Sequence, residues 1–199
     1  MHPLVPTVLL RRGERVDVAR LVAERGWREF VLKPAVSADS WETHRLGADQ
    51  LAAAQAHVDR LQPARDLLLQ PFLDTVESYG ERCLVHIEGA FSHAVRKNAL
   101  TQGGRWAGLP EGTPVEADAG ERAAAARVLA ACPFADLLYA RVDLVRDASG
   151  RPLLLELELV EPTLFVADAP AGLERLVGAL RHRLGARDSE GLASRPGAC

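Results

Sequence analysis

The eight residues Leu-Leu-Leu-Glu-Leu-Glu-Leu-Val at positions 153–160 decide how the second half of the chain folds. Leucine recurs at every odd position, whereas Glu156 and Glu158 stand at even positions. Side chains of a β-strand point alternately to opposite faces, so a strand here would give one continuous leucine face for the core. The two glutamates would then lie together on the opposite face.

The residues before this strand predict a partner for it. Arg141 and Asp143 share one face of the alternating stretch 137–146, and an Asp-Ala-Ser-Gly turn at 147–150 joins the two strands. The hairpin would gather Asp143 and the two glutamates on one surface, with Arg141 beside them. Clustered carboxylates repel one another unless a cation lies among them, and an all-oxygen ligand set favours Mg²⁺ or Mn²⁺. A solvated polar face of an antiparallel sheet is the alternative interpretation.

Composition narrows the classes of protein to which the chain can belong. Its 199 residues are 48% hydrophobic and 26% charged, which is enough apolar material for one domain or two small lobes, and too much for a disordered chain. With 24 basic and 27 acidic side chains, a net charge of −3 and no long apolar run, we expect neither a nucleic-acid partner nor a membrane segment. Three cysteines, an odd number, argue against a disulfide framework and favour the cytoplasm.

Only two of the 24 basic residues are lysines, Lys33 and Lys97, and each follows an apolar stretch at the end of a predicted strand. In so arginine-rich a chain, a retained lysine can mark a place where a compact ammonium group is required. Together with the carboxylates, these groups suggest a polyphosphate bridged by its metal ion. Chance survival of two surface lysines is the alternative. His44, His57 and His182 fall at predicted polar positions, and we expect them at the surface rather than in a metal site.

The remaining pattern predicts an α+β architecture of two lobes, without internal repeats. Residues 1–75 would form the first lobe and residues 76–185 the second, followed by a disordered tail at residues 186–199. Strands are expected at residues 7–10, 30–32, 67–70, 81–88 and 90–97, and in the hairpin described above. Helices are expected at residues 17–26, 49–61, 120–131 and 171–184. The segments 35–47 and 98–114 are predicted loops.

Six short motifs follow one another in the order found in the ATP-grasp ligase family, which this chain resembles from about Val5 to Leu164. They are Val31-Leu32-Lys33-Pro34, Leu69-Gln70-Pro71-Phe72-Leu73, Gly80-Glu81, Arg96-Lys97, Arg141-Val142-Asp143-Leu144 and Leu155-Glu156-Leu157-Glu158. The segments 91–97 and 158–162 are most similar to the branch that contains O-ureido-D-serine cyclo-ligase. The sequence has neither a Walker loop nor a dinucleotide-binding glycine motif.

The resemblance implies a phosphate and metal site. Lys33 would contact the α- and β-phosphates of ATP, and Lys97 would reach the phosphates from the other lobe. Arg141 would stabilise an acyl phosphate and the oxyanion that follows it. The magnesium ligands would be Asp143, Glu156 and Glu158, and Mn²⁺ suits the same oxygen ligands.

The resemblance also implies a nucleoside site. The hinge, formed by Gln70, Pro71, Phe72 and Leu73, would read the adenine edge with its backbone. Glu81 would bind the ribose hydroxyls. The segment 35–43 and the loop after Lys97 would close over the nucleotide.

Two departures from the family pattern alter these expectations. The family usually has asparagine where Glu158 stands, so this site would carry an extra negative charge. Family members also carry a preceding domain of roughly a hundred residues, so we expect this chain to be a fragment, a truncated reading frame or half of a split enzyme. The nearly continuous apolar strands of the first lobe would then be partly exposed, and self-association or a partner chain is expected.

The function implied by the resemblance is that of an ATP- and Mg²⁺-dependent, ADP-forming ligase. Such an enzyme phosphorylates a small-molecule carboxylate and transfers the acyl group to an amine or similar nucleophile, forming a C–N bond. One alternative is a non-catalytic ATP-binding fragment or subunit of a split ligase. Another is a metal-dependent phosphohydrolase that uses the same carboxylates without an acceptor.

Overall fold

The structure is a computed structural model that describes residues 4–37, 40–97 and 112–193. Two antiparallel sheets, each covered by helices, make up two α+β lobes. No described helix combines the length and the hydropathy that a membrane span requires.

The first sheet has the strand order β1-β4-β2-β3. Its strands are β1 (Val8–Leu10), β2 (Glu29–Pro34), β3 (His44–Gly47) and β4 (Leu67–Pro71). Two helices, α1 (Val18–Arg25) and α2 (Leu51–Leu61), pack on one of its faces. The central strands contribute the fully buried side chains Phe30, Leu32, Leu67 and Leu69 to the core between sheet and helices.

The second sheet has the strand order β7-β6-β5-β8-β9. After the short helix α3 (Thr75–Ser78), its elements are β5 (Glu81–Ile87), β6 (Ala90–Lys97), β7 (Gly112–Val115), α4 (Ala119–Ala130), β8 (Tyr139–Arg146), β9 (Pro152–Glu158) and α5 (Pro170–Ala193). Helix α4 packs on one face through Ala124, Ala125 and Val128. Helix α5 packs on the opposite face, where Ala179 contacts Val85 and Ile87.

Local sequence signals explain several element boundaries. Asp17 caps α1 by accepting a hydrogen bond from the Arg20 backbone N–H at 2.9 Å, and Gly26 ends the helix at φ 65°. The β5–β6 turn places Glu88 at φ 47° and Gly89 at φ 77°, as a tight two-residue hairpin requires. These boundaries confirm the predicted helix and the predicted hairpin.

Other boundaries differ from the prediction. Strand β2 does not stop before Lys33 but runs through Pro34, opposite Leu67. A proline is tolerated there because β3 pairs with β2 only as far as Leu32, so the missing N–H faces no neighbouring strand. Strand β3 lies in the predicted loop 35–47; its single inward leucine, Leu46, gives no alternation to detect.

Two further corrections concern short elements. Helix α2 begins at Leu51, and its first turn has no side-chain cap, so Asp49 does not open it. Strand β7 occupies the end of the predicted loop 98–114, where glycine and proline hide a strand that pairs with the edge of β6. The preceding residues 98–111 lie outside the described part of the chain.

The leucine face of β9 is interrupted by a β-bulge. Glu156 pairs with Asp143 and Leu154 pairs with Leu144, so Leu155 is the extra residue. In consequence Leu154 and Leu157 pack beneath α4, whereas Leu153 and Leu155 pack in another cluster with Val5 and Val145. The prediction that the odd-numbered leucines form one continuous face was therefore wrong.

The C-terminal helix is longer than predicted. Helix α5 continues to Ala193, so residues 186–193 of the predicted disordered tail are helical. Residues 194–199 lie outside the described part of the chain.

The two lobes also contact each other away from the predicted boundary at residue 75. The Val5 N–H donates to the Leu154 carbonyl at 3.0 Å, and the Thr75 hydroxyl donates to the Arg146 carbonyl. Leu73 and Val76 pack against the cluster that holds Val5. These contacts join the connection between the sheets to the second lobe, and the exact domain boundaries remain a prediction.

Candidate functional site

The candidate site lies on one face of the second sheet, where four strands present charged side chains in register. Arg141 pairs with Glu158 and Asp143 pairs with Glu156 across β8 and β9. Glu81 at the start of β5 lies opposite Lys97 at the end of β6. Because alternate residues of a strand share a face, these side chains converge where the strands meet.

Arg141 is the centre of the cluster. Its guanidinium donates to both oxygens of Asp143, with Nε–Oδ1 at 2.8 Å and Nη2–Oδ2 at 2.7 Å, and also to the Glu158 carboxylate. Arg141 is 3% exposed and Asp143 is fully buried. Two buried charges are tolerated here because they are paired in fork-like geometry, which is the arrangement that satisfies most donors and acceptors.

Burial and neighbouring charges shift the pKa values of Arg141 and Glu158. Burial opposes the charge of Arg141, but hydrogen bonds and attraction from Asp143 outweigh it and raise the pKa of the guanidinium. Burial raises the pKa of Glu158, and the neighbouring Glu156 adds to that rise while Arg141 opposes it. The environment of Glu158 therefore favours its protonated form more than water would.

A second ion pair continues the cluster toward the first residue of β5. Lys97 Nζ donates to Glu81 Oε1 at 2.7 Å and lies 3.9 Å from Asp143 Oδ2. Burial opposes the Lys97 charge, yet attraction from Glu81 and Asp143 outweighs it and raises the pKa of the ammonium group. Burial and the nearby Asp143 raise the pKa of Glu81, against the attraction of Lys97. Lys97 thus bridges two carboxylates.

Lys33 brings the first lobe into contact with this cluster. It projects from β2 of the first sheet, is 8% exposed, and donates from Nζ to Glu156 Oε1 on β9 at 2.5 Å. Both lysines were predicted to lie at strand ends and to contact one polyphosphate. In the structure each lysine lies in its own ion pair at the same cluster.

The three predicted magnesium ligands fit a hard cation. Asp143, Glu156 and Glu158 each offer a carboxylate oxygen, and these oxygens lie within 4.8 Å of one another. The side chains of Glu156 and Glu158 are 39% and 30% exposed, so the pair is open to solvent above the buried Asp143. An all-oxygen set of this kind matches the preference of Mg²⁺.

The predicted hinge does not join this ion-pair cluster. The buried Gln70 side chain donates from Nε2 to the Thr7 hydroxyl at 2.9 Å. The Phe72 N–H donates to the Glu29 carbonyl at 3.0 Å, and the guanidinium of Arg45 lies 3.5 Å from the centre of the Phe72 ring. In this structure the side chains of Gln70 and Phe72 thus stabilise the fold.

Three residues that complete the cluster were not predicted to belong to it. The Thr163 carbonyl accepts from Arg141 Nη1 at 3.0 Å, and the ring of the buried Phe165 lies 5.6 Å from the guanidinium carbon. Cys83 was recognised as a core residue, but it also lies beside Asp143 across β5 and β8. Thr163 and Phe165 come from a segment without regular structure, where Glu161 and Phe165 adopt positive φ, so periodicity could not reveal them.

No protein-family model matches the chain. It is 34% identical over 201 residues to the cycloserine biosynthesis protein DcsG of Streptomyces lavendulae, an alignment that covers 92% of this chain and 65% of that protein. The chain therefore spans just under two thirds of the length of this relative.

Solved structures show the same fold. The crystal structure of D-cycloserine synthetase DcsG superposes with a TM-score of 0.83 at 34% identity, covering 92% of this chain and 66% of that one. A D-alanine–D-alanine ligase from Bacillus anthracis complexed with ATP superposes with a TM-score of 0.62 at 17% identity, covering 92% and 62%. The ATP-grasp ligase PsnB, complexed with a precursor variant, Mg and ADP, gives 0.60 at 16%, covering 89% and 54%. The chain thus has the ATP-grasp fold, and over most of its length its sequence is similar to that of DcsG.

Proposed function

We propose that this chain carries the nucleotide site of an ATP- and Mg²⁺-dependent, ADP-forming ligase that joins a carboxylate to an amine or similar nucleophile through an acyl phosphate. The observation that carries the proposal is the Lys33–Glu156 ion pair beside the Arg141–Asp143 fork. It sets a cation from one sheet directly against a carboxylate cluster on the other. Cations on one side and carboxylates on the other are groups that can bind a polyphosphate and its metal ion.

The carboxylates of Asp143, Glu156 and Glu158 would hold the metal ion. When bound, Mg²⁺ would neutralise phosphate charge and make phosphoryl transfer more favourable. Because Arg141 already occupies both oxygens of Asp143, the more exposed glutamates would take the larger share of the coordination. Glu158, at the position where the family usually has asparagine, gives the cluster four carboxylates against three cations when Glu81 is included.

The lysines would exchange partners when the nucleotide binds. In the structure Lys33 and Lys97 are each neutralised by a glutamate, at 2.5 and 2.7 Å. A phosphate that took over each ammonium group would release Glu156 for the metal and Glu81 for the ribose hydroxyls. Each exchange keeps the number of paired charges constant, so the buried ammonium groups are not left unpaired at any point.

The hinge would bind the adenine ring through a limited set of backbone N–H groups. Pro71 has no N–H, and the Phe72 N–H is donated to Glu29 within the first lobe. We therefore assign the amide donor for the adenine ring to Leu73, the residue at the start of the connection between the lobes. Gln70 would act by fixing this connection through its bond to Thr7.

The proposed chemistry consists of two transfers. A carboxylate oxygen of the substrate attacks the γ-phosphorus, the bond to ADP breaks, and an acyl phosphate forms. The nucleophile then attacks the acyl carbon, phosphate leaves, and the nucleophile loses a proton. Arg141, held by Asp143 and the Thr163 carbonyl, presents a fixed positive charge where the acyl phosphate and its oxyanion develop charge.

An assay of ADP release tests this proposal. The chain is incubated with MgATP and a panel of small carboxylates that starts with D-alanine and other small amino acids, because relatives are named for D-cycloserine and for D-alanine–D-alanine. Hydroxylamine is added as a nucleophile that converts an acyl phosphate into a hydroxamate. We expect ADP and hydroxamate in equal amounts, and only with both carboxylate and hydroxylamine present.

Two other outcomes identify the alternative functions. ATP binding by calorimetry without ADP release would indicate a non-catalytic nucleotide-binding chain or the subunit of a split ligase. Phosphate release that needs no carboxylate would indicate a phosphohydrolase. Replacing Mg²⁺ by Mn²⁺ tests whether the second ion also supports turnover, since both prefer oxygen ligands.

We also propose that the chain acts in the cytoplasm and associates with a second copy or a partner chain. Cys83 and Cys132 are free thiols, as a reducing compartment permits. Leu4 and Leu9 in the first lobe are 55% and 42% exposed, which leaves apolar surface for a contact. Sedimentation velocity over a dilution series tests the association; a single monomeric species at every concentration would contradict self-association.

A further inference from the structure

A separate cluster of imidazole and carboxylate groups lies in the first lobe. Glu42 stands in the turn before β3, His44 is the first residue of β3, and His57 and Arg60 lie on α2. His57 is 8% exposed, so the sequence-based placement of this residue at the surface was wrong. His44 keeps about half of its side chain exposed, which leaves the cluster open on one side.

The spacing of these groups is close to that of ligands around one metal ion. Glu42 Oε2 lies 3.5 Å from His44 Nε2 and 3.6 Å from His57 Nδ1. The three potential ligand atoms all lie within 4.8 Å of one another. Bonds of about 2.0–2.1 Å in a tetrahedral site place ligand atoms roughly 3.3–3.4 Å apart. Small side-chain movements would therefore bring the three groups to one ion.

The hydrogen bonds of His57 orient its unprotonated ring nitrogen into the cluster. Its Nε2 lies 3.2 Å from the Glu42 carbonyl, and a carbonyl only accepts, so Nε2 carries the proton. Nδ1 is then an acceptor, and Arg60 Nη2 donates to it at 3.1 Å. A metal-binding histidine typically donates its second ring N–H to a carbonyl or carboxylate in this way. His57 therefore already makes the backbone contact that orients a metal-binding imidazole.

We propose that Glu42, His44 and His57 form a binding site for a divalent transition-metal ion of the Zn²⁺ class, and that Arg60 is the resident cation which the metal displaces. The nitrogen-rich donor set distinguishes this site from the all-oxygen cluster at Asp143, since imidazole favours zinc-like ions over Mg²⁺. The proposal does not depend on the proposed ligase function.

Arg60 is suited to leave. It holds Glu42 through two hydrogen bonds, at 3.0 and 2.6 Å, and occupies the acceptor of His57. Its side chain is 54% exposed, so it can rotate into solvent without exposing a core. The turn at Glu42 follows the segment after Lys33. A bound metal ion would join this turn to helix α2 through coordination bonds in place of the Glu42–Arg60 ion pair.

The test is a titration of the full chain with Co²⁺, followed by visible absorption, with Zn²⁺ as competitor and an excess of Mg²⁺ to occupy oxygen sites. We expect a Co²⁺ spectrum that Zn²⁺ abolishes. His44→Gln and His57→Gln should each weaken Co²⁺ binding at least about tenfold. Arg60→Gln should tighten it at least about tenfold, because the competing cation and its repulsion of the metal are removed. His182→Gln, at an exposed position on α5, is the matched control and should bind like the parent.

Equal Co²⁺ affinity in the parent and in His44→Gln would overturn the proposal, as would the absence of any Co²⁺ spectrum in Arg60→Gln. Circular dichroism establishes that each variant is folded. If His57→Gln does not fold, the variants His44→Gln and Arg60→Gln decide the question. Both residues are partly exposed, so replacing them leaves the core intact. A tighter complex in Arg60→Gln together with a weaker one in His44→Gln supports both the site and the displacement.

Discussion

Lys33 Nζ and Glu156 Oε1, separated by 123 positions in the sequence, lie 2.5 Å apart across the two sheets. Lys33 stands in a central strand of the first sheet, and Glu156 stands next to the β-bulge of the last strand of the second. Because Leu155 is the extra residue at the bulge, the strand presents Glu156 opposite Asp143 while keeping Leu154 beneath α4. A local irregularity of one strand thus sets the contact between the lobes.

Replacing Lys33 should weaken ATP binding whatever the charge of the replacement. We expect Lys33→Ala and Lys33→Arg both to reduce MgATP affinity at least about tenfold, or about 1.4 kcal/mol. The guanidinium is larger and planar, and Lys33 is buried on β2, so we expect an arginine there to displace its neighbours. Isothermal titration calorimetry measures the affinity. Arg28→Ala, at an exposed position one residue before β2, is the control; parent-like binding by Lys33→Arg would contradict the assignment.

Removing single carboxylates from the cluster should separate metal binding from stability. Glu156→Gln should weaken Mg²⁺-dependent ATP binding and lower the free energy of unfolding less than Asp143→Asn does, because Glu156 is partly exposed although its partner Lys33 is buried. Asp143→Asn should also lower the free energy of unfolding, by about 3 kcal/mol or more, since it leaves the buried Arg141 and Lys97 without their shared anion.

Urea denaturation and calorimetry on the same variants provide both quantities. If Asp143→Asn is too unstable to bind ligand, Glu156→Gln alone tests the metal assignment. Unchanged Mg²⁺ dependence in Glu156→Gln would argue that the carboxylates are only a solvated polar face of the sheet.

Arg141 should be required in its fork geometry and not only for its charge. Arg141→Met removes the partner of the fully buried Asp143 and should cost about 3–5 kcal/mol of stability. Arg141→Lys keeps a charge but cannot contact Asp143, Glu158 and the Thr163 carbonyl together, so we expect an intermediate stability and at least about a hundredfold loss of ligase turnover. Thermal melts and the ADP-release assay measure the two effects; full activity in Arg141→Lys would contradict the role of the fork.

Acid should destabilise the protein through His86, which lies away from the site. Burial lowers the pKa of His86 below its ordinary value of 6.5. As pH falls through 6.5 the unfolded chain takes up a proton before the folded chain does, so the contribution of the neutral ring, present above pH 6.5, is lost toward the lowered pKa. His86→Gln should therefore lose less stability than the parent between pH 7 and pH 5.

Urea midpoints at several pH values measure this difference. Subtracting the pH dependence of the variant from that of the parent removes the contribution of the many other groups that titrate in the same range. His182→Gln, at an exposed position, provides the comparison. An identical pH dependence in the parent and His86→Gln would show that His86 is protonated equally easily in the folded and unfolded states.

The local part of the fold was readable from the sequence. The Asp17 cap, the Gly26 stop, the Glu88-Gly89 turn and the paired strands of the last hairpin depend on residues within a few positions of one another. The face shared by Asp143, Glu156 and Glu158 followed from strand alternation and one turn. Strands β3 and β7 escaped prediction because each pairs with only one neighbour and has too few apolar residues to form a pattern.

From the sequence we expected a crowded cluster of carboxylates whose mutual repulsion only a metal ion would relieve. The tertiary structure instead gives these carboxylates cations from the protein itself: Arg141 for Asp143 and Glu158, and Lys33 for Glu156. For this reason we expect removal of the Asp143 carboxylate to lower the free energy of unfolding rather than to relieve repulsion. Alternation can place acidic side chains on a face but cannot say which distant cation lies opposite them.

By itself the sequence determined most of the helices and strands, the acidic face of the last hairpin and the two lysines that the family resemblance assigns to phosphate. These features depend on short-range periodicity, on turn chemistry and on residue identity. Only the tertiary structure decided that Lys33 meets Glu156, that Lys97 meets Glu81, that Leu155 forms a bulge and that His57 is buried beside Glu42 and His44. Each of these depends on the packing of segments far apart in the chain, where small differences in register and burial choose the partner, and no local pattern encodes that choice.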